Sequence, residues 1–118
     1  MGEYRGALFM REDVPTGVEM ADPLVFLKFN LLDPYPNPFN STVTIQFTIE
    51  QQKEIKLSIF DLLGREVNVL AEGSYQTGRY RTQWQGTNAS GALLPTGVYF
   101  VRLQSSKATL TKRVLLLR

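Results

Sequence analysis

The sequence contains no cysteine and no histidine. Without cysteine there is no disulfide framework, no thiol nucleophile and no Cys-ligated zinc. Without histidine there is no Ser-His-Asp triad and no imidazole base. An excess of one charge is also missing. Thirteen basic and 11 acidic side chains leave a net +2, too little to argue for nucleic acid. Long apolar runs are absent too. Residues 24–32 form the most apolar early stretch, but Lys28 and Asn30 interrupt it, and it is too short for a membrane span. Residues 1–12 lack the basic start, apolar run and small-residue cleavage site of a secretory leader. Gly6 stands where a myristoylation signal needs Ser or Thr. The expectation is a piece of a longer precursor, with any leader lying elsewhere.

What is present suits one domain. The chain has 118 residues, 43% of them hydrophobic, with 7 Phe, 5 Tyr and 1 Trp, enough for an ordinary core. Its charge is polarised. From residue 73 to the end there is no acid, while Arg79, Arg81, Arg102, Lys107, Lys112, Arg113 and Arg118 supply positive charge. No cluster of five to eight bases forms, so this half suits either a solvated sheet face or docking of an acidic protein.

The apolar period is two. Val43, Ile45, Phe47 and Ile49 alternate with Thr44, Gln46 and Thr48, and Ile55, Leu57 and Ile59 alternate with Lys56 and Ser58. That is the signature of half-buried strands. Residues 65–70 repeat it through Val67 and Val69. Tyr80, Thr82 and Trp84 oppose Arg79, Arg81 and Gln83. Residues 98–104 are β-branched and aromatic, and residues 108–117 place Leu110, Val114 and Leu116 on one face. Turns are expected at Asp61-Leu62-Leu63-Gly64, Asn88-Ala89-Ser90-Gly91 and Pro95-Thr96-Gly97. No helical stripe appears. With a further strand over residues 25–31, the reading is an all-β fold: an immunoglobulin-like antiparallel β-sandwich of about seven strands. It occupies residues 23–118, with 1–22 a linker or the tail of an upstream module. Residues 6–10 can pair as a short edge strand.

The segment Asp33-Pro34-Tyr35-Pro36-Asn37-Pro38-Phe39-Asn40 holds three prolines in five residues. Proline fixes φ and keeps the preceding residue extended, which makes a stiff entry into the first core strand. Tyr35 and Phe39 are expected to bury their rings at the sandwich mouth, and Asn37 and Asn40 to bond back within the turn. Gly97 is expected to supply a φ closed to other residues. Tyr99 reads as a packing or hydrogen-bonded sandwich tyrosine.

Residues 36–40 (PNPFN) resemble the opening motif of the C-terminal sorting domain of the type IX secretion system. The resemblance continues through Thr44–Phe47 and through residues 59–67, with Asp61, Gly64 and Arg65. It includes residues 78–86 with Trp84 and Gly86, then Gly91, residues 95–103 with Gly97 and Tyr99, and the basic end with Lys112, Arg113 and Arg118. The hook-capping immunoglobulin-like domain shares the Asp-x-x-Gly-Arg and Gly-x-Tyr features but not usually the proline opening. Two departures, Ser41 and Gln85, fall at turn or rim positions.

The resemblance implies a non-catalytic secretion address without cofactor or metal. Its partners would be the outer-membrane type IX machinery, a surface sortase-like protease that cuts upstream, and a cargo domain in the same precursor. The cargo would travel by the periplasm to the surface or medium. The resemblance implies partner recognition by Pro36, Asn37, Pro38, Phe39, Gly97, Tyr99, Lys112, Arg113 and Arg118. Asp61, Gly64, Arg65, Trp84, Gly86 and Gly91 would hold the structure.

Other readings are open on the residues alone. Trp84, Tyr75, Tyr80 and Phe100 could form a sugar-stacking platform, and the domain could be a structural spacer beside an enzyme. Asp61 with Glu66, and Glu50 with Glu54, read as turn capping and solvation rather than paired acid–base catalysts. Asp61, Asn88 and Asp33 make only a thin case for calcium. Asn40 and Asn88 head glycosylation sequons.

Overall fold

The structure is a computed structural model that describes residues 10–12 and 27–118. Eight strands, and no helix, form among the described residues: β1 (Met10–Glu12), β2 (Asn30–Leu31), β3 (Val43–Ile49), β4 (Lys53–Phe60), β5 (Glu66–Tyr75), β6 (Gly78–Trp84), β7 (Gly97–Gln104) and β8 (Thr109–Leu116). They form two four-stranded sheets, ordered β1-β6-β3-β2 and β5-β4-β7-β8. All paired strands are antiparallel. This is the immunoglobulin-like sandwich expected from the period: β2, β3 and β6 take the places of strands A, B and E, and β4, β5, β7 and β8 those of C, C′, F and G. β1 lies beside β6, where that fold has its fourth strand.

The alternation in sequence becomes the alternation in burial. Val43, Ile45, Phe47 and Ile49 of β3 face Leu57 and Ile59 of β4 and Val101 and Leu103 of β7 across the interior, all fully buried. Phe47 stacks on Tyr80 at 5.4 Å, and Tyr75 meets both rings edge-on at 6.1 and 5.0 Å. Burying such rings drives the two sheets together.

β5 departs from the simple pattern. Val67 and Val69 are only half-buried, and the inward positions are Ala71 and Tyr75. Opposite β4 the register skips Leu70 and then Val67, so β5 carries two extra residues. Each bulge flips the parity of the residues beyond it, a shift invisible to a strict period of two. The strand therefore runs on to Tyr75, beyond the expected end at residue 70.

The strand expected over residues 25–31 is paired only at Asn30–Leu31, against Thr48 and Phe47 of β3. Residues 25–26 lie outside the described residues. Of the edge strand expected over residues 6–10, residues 6–9 also lie outside them. Pairing is found at Met10–Glu12, against Arg81, Tyr80 and Arg79.

Candidate functional site

The antiparallel register gathers the sequence motifs at one pole of the sandwich. The start of β3 meets the end of β6 at Val43 and Trp84, the end of β4 meets the start of β7 at Phe60 and Phe100, and the start of β7 meets the end of β8 at Gly97 and Leu116. The turn after β4, the loop after β6 and the proline segment before β3 therefore all close the same end.

Two turns there share one construction. Asp61 Oδ1 accepts from the backbone N–H groups of Leu63 and Arg65, and its Oδ2 accepts from Arg65 Nε at 2.8 Å. Gly64 donates to the Asp61 carbonyl and adopts φ +85°, the left-handed conformation that the turn requires. Asn88 repeats the scheme. Its Oδ1 accepts from the N–H groups of Ser90 and Ala92, and Gly91 donates to its carbonyl. The Asp61 carboxyl is held below the ordinary carboxylate range, chiefly by the Arg65 N–H and then by the guanidinium. Both oxygens are thus occupied by the turn itself, as the capping reading expects. Glu50 is paired with Lys53 and Glu66 with Lys56.

Tyr99 lies between these turns and the core. Its hydroxyl donates to the Pro95 carbonyl at 2.7 Å, and its ring meets Trp84 edge-on at 5.5 Å. This is the tyrosine corner of immunoglobulin-like sandwiches. Burial, and next the charge of Asp61, raise its ionisation above the ordinary phenol range, while Arg118 opposes the rise. Trp84 is buried and donates from Nε1 to the Thr87 carbonyl, which also accepts from Asn68 Nδ2. Tyr75, Tyr80 and Trp84 are buried in the core, so they present no sugar-stacking platform.

Gly97 corrects an expectation. It does not adopt a left-handed φ, and a Cβ there would meet only ordinary contacts with Tyr99 and the Pro95 carbonyl. Gly86, at φ +72°, is packed more tightly than Gly64, Gly91 or Gly97. A Cβ on it would lie 2.7 Å from Arg118 Nη2 and 3.0 Å from Leu116 Cδ2.

That contact reveals what Arg118 does. Its guanidinium donates to the carbonyls of Leu94 at 2.9 Å and Gly86 at 2.6 Å, with a longer contact to Gln85. Its backbone N–H donates to Thr96 Oγ1. A side chain expected on a recognition strand is folded back as a clasp between the ends of β6 and β7.

The proline segment makes a second clasp. Phe39 is 2% exposed and packs on Trp84 at 5.6 Å, whereas Tyr35, expected to bury its ring as well, is 48% exposed. Pro36 and Pro38 are exposed, and each follows a cis peptide bond. Asn37 does not bond within its own turn. Its side-chain amide accepts from Leu115 N–H and donates to the Arg113 carbonyl. Phe39 N–H then donates to the Leu115 carbonyl, and its own carbonyl accepts from Leu117 N–H. Asn37 thus imitates a peptide group, and the segment lies along the outer edge of β8 as a short parallel cover. Asn40 shows no such bond.

β8 is the edge strand of its sheet. Lys112 faces the sandwich side, pairs in register with Val101, and reaches past the edge to Asp33 at 2.8 Å. Arg113 faces solvent beside Phe100. Lys112 and Arg113 therefore sit along the strand, away from the clasped Arg118. No group of three or more metal-ligating side chains gathers among the described residues. No helix long and apolar enough to cross a membrane occurs among them either.

Reasoning from sequence misses Asn68, Thr87 and Thr96, and the likeness of the Asn88 turn to the Asp61 turn. The shared Asx-x-x-Gly spacing is the available signal for the turn. The other three act through carbonyls or long-range contacts that leave no local pattern.

Comparison with known proteins places this geometry. No curated protein is matched by the sequence. The dimeric latent PorU of Porphyromonas gingivalis superposes with a TM-score of 0.59 at 21% identity, over 71% of this chain and 9% of that one. PorZ, a bacterial surface component of the type-IX secretion system of the same organism, gives a TM-score of 0.50 at 24% identity, over 76% and 11%. The chain thus matches only about a tenth of each, and at these identities the likeness speaks for the fold. The family of secretion system C-terminal sorting domains matches residues 34–117, from the proline segment to the end of the last strand. The resemblance carried by the motifs at the clasped pole is thereby met: the chain belongs to the secretion system C-terminal sorting domain family.

Proposed function

We propose that this domain is the folded, non-catalytic address by which a larger precursor is exported through the type IX system to the cell surface or medium. The observation that carries this reading is the convergence of the motif blocks on one pole and one edge. Residues far apart in sequence, from Asn37 to Arg118, come into contact only once the sandwich is folded. An address of that kind is read as a shape rather than as a linear tag.

The roles divide accordingly. Asp61, Gly64, Arg65, Trp84, Gly86, Gly91 and Tyr99 hold the pole together. Arg118 and Phe39 fix the end of β8, and Asn37 sets how far its edge is covered. Lys112 and Arg113 present positive charge to the machinery, with Pro36 and Pro38 as exposed apolar neighbours. Asp61 is committed to its turn, and Asp33, Glu50 and Glu66 to ion pairs, which supports a role without catalysis. A sortase-like protease acting upstream of residue 32 would release the cargo, whose activity lies outside this domain.

The test is export of a reporter carrying residues 1–118. Arg113→Glu, with a melting temperature unchanged, should leave the reporter in the periplasm. Export of that variant at the wild-type level would remove Arg113 from the recognition surface.

A further inference from the structure

Among the described residues, the edge of β8 is only half closed. In an antiparallel pair, alternate residues direct both backbone groups toward the partner strand, and those between direct both away. Leu115 sends its N–H and C=O outward to Asn37 and Phe39. Ala108, of opposite parity, bonds back across the hairpin to Ser105. The outward set is therefore Thr109, Thr111, Arg113 and Leu115. The proline segment takes both groups of Leu115 and the carbonyl of Arg113. The N–H of Arg113 and both groups of Thr111 and Thr109 point outward beyond the last strand, and no bridge among the described residues reaches them.

We propose that this open half-edge accepts an extended acidic segment of a partner as an added strand. The inference rests on the reading of the domain as an export address and names how one contact would be made. A peptide laid there would gain main-chain hydrogen bonds to Thr109, Thr111 and Arg113. The Asn37–Phe39 cover would stop it at one end and so fix its register.

Charge decides the class of partner. The side chains of Thr109, Thr111 and Arg113 are exposed. Arg102 pairs with Thr111 on the same face, its guanidinium 4.0 Å from the Phe60 ring centroid. Lys107 is exposed in the β7–β8 hairpin. No acid occurs between residues 73 and 118. Asp33 is paired with Lys112 of β8 itself, and Glu66 with Lys56. A second copy pairing through β8 would set Arg113 and Lys112 against their own kind, which disfavours self-association. An acidic strand meets the opposite condition.

The experiment uses the full chain and a labelled eight-residue peptide alternating Glu with Val and Thr. Its anisotropy is read at low salt, with amide exchange followed residue by residue. The expected result is saturable binding, slowed exchange at Thr109, Thr111 and Arg113, and no binding of the Lys-for-Glu peptide. Thr111→Pro deletes an outward N–H that no neighbour among the described residues uses, a position where an edge strand tolerates proline. It should weaken binding by about tenfold. If Thr111→Pro fails to fold, Arg113→Glu, whose side chain faces solvent, should weaken it similarly. Equal binding of both peptides, unchanged exchange at the three amides, or dimerisation through β8 at the assay concentration would overturn the proposal. The two readings fail separately. Peptide binding with the wild-type reporter held in the periplasm would sink the export role alone. Normal export by variants that have lost the peptide would sink the edge as the contact used.

Discussion

Gly86→Ala is the sharpest perturbation of the clasped pole. The backbone there is left-handed, and an alanine in that conformation costs roughly 1 kcal/mol or more. The new methyl would sit 2.7 Å from Arg118 Nη2 and 3.0 Å from Leu116 Cδ2. Arg118 can move, but it then gives up its 2.6 Å bond to the Gly86 carbonyl. That loss is worth about 1 kcal/mol once solvent replacement is allowed for. Leu116 is fully buried, so shifting it by a few tenths of an ångström adds up to about 1 kcal/mol. The expected destabilisation is about 2–3 kcal/mol, read from the urea midpoint at constant slope. Arg118→Ala alone should cost about 1 kcal/mol. The double variant should cost less than the two together by about 1 kcal/mol, because removing Arg118 removes part of the clash. Strict additivity, or a Gly86→Ala loss below about 0.5 kcal/mol, would refute the clasp.

Three further outcomes rest on the same contacts. Ile59→Ala opens a cavity at a fully buried position and should cost about 2–5 kcal/mol in denaturant unfolding. Lys112→Ala breaks only an exposed pair with Asp33 and should cost less than about 0.5 kcal/mol; a large loss would show that its role is structural. Asp61 and Glu50 are held below their ordinary values of 3.8 and 4.5, so the unfolded chain takes up their protons first. The stabilisation they give is complete above that ordinary range and fades as the pH falls through the lower folded values. The melting temperature should be level between about pH 7 and 5 and drop below about pH 4, and Asp61→Asn should shrink the drop.

How much of this is legible in the sequence depends on whether the signal is local. Period two in residues 43–49, 55–59 and 80–84 marks their strands and inward faces, because pleat geometry ties sequence parity directly to burial. The Asp61 and Asn88 turns announce themselves, since an Asx side chain caps the backbone next to it. β5 escapes the pattern because a bulge is a property of the pair, not of one strand. Asn37 and Arg118 mislead for a related reason. Each looks like a turn or surface residue until a segment more than thirty positions away arrives to meet it. Gly97 suggests a conformational need, yet its extended backbone asks for none. Family motifs locate the pole correctly but not the work of each residue within it.

The folded domain should by itself direct export. Residues 1–118, including the paired Met10–Glu12 strand, should be placed behind a periplasmic signal peptide and a fluorescent reporter in a type IX-competent bacterium. Reporter is expected on the cell surface or in the medium, and in the periplasm when the type IX machinery is deleted. Periplasmic retention in the competent strain, with the domain shown to be folded, would contradict it.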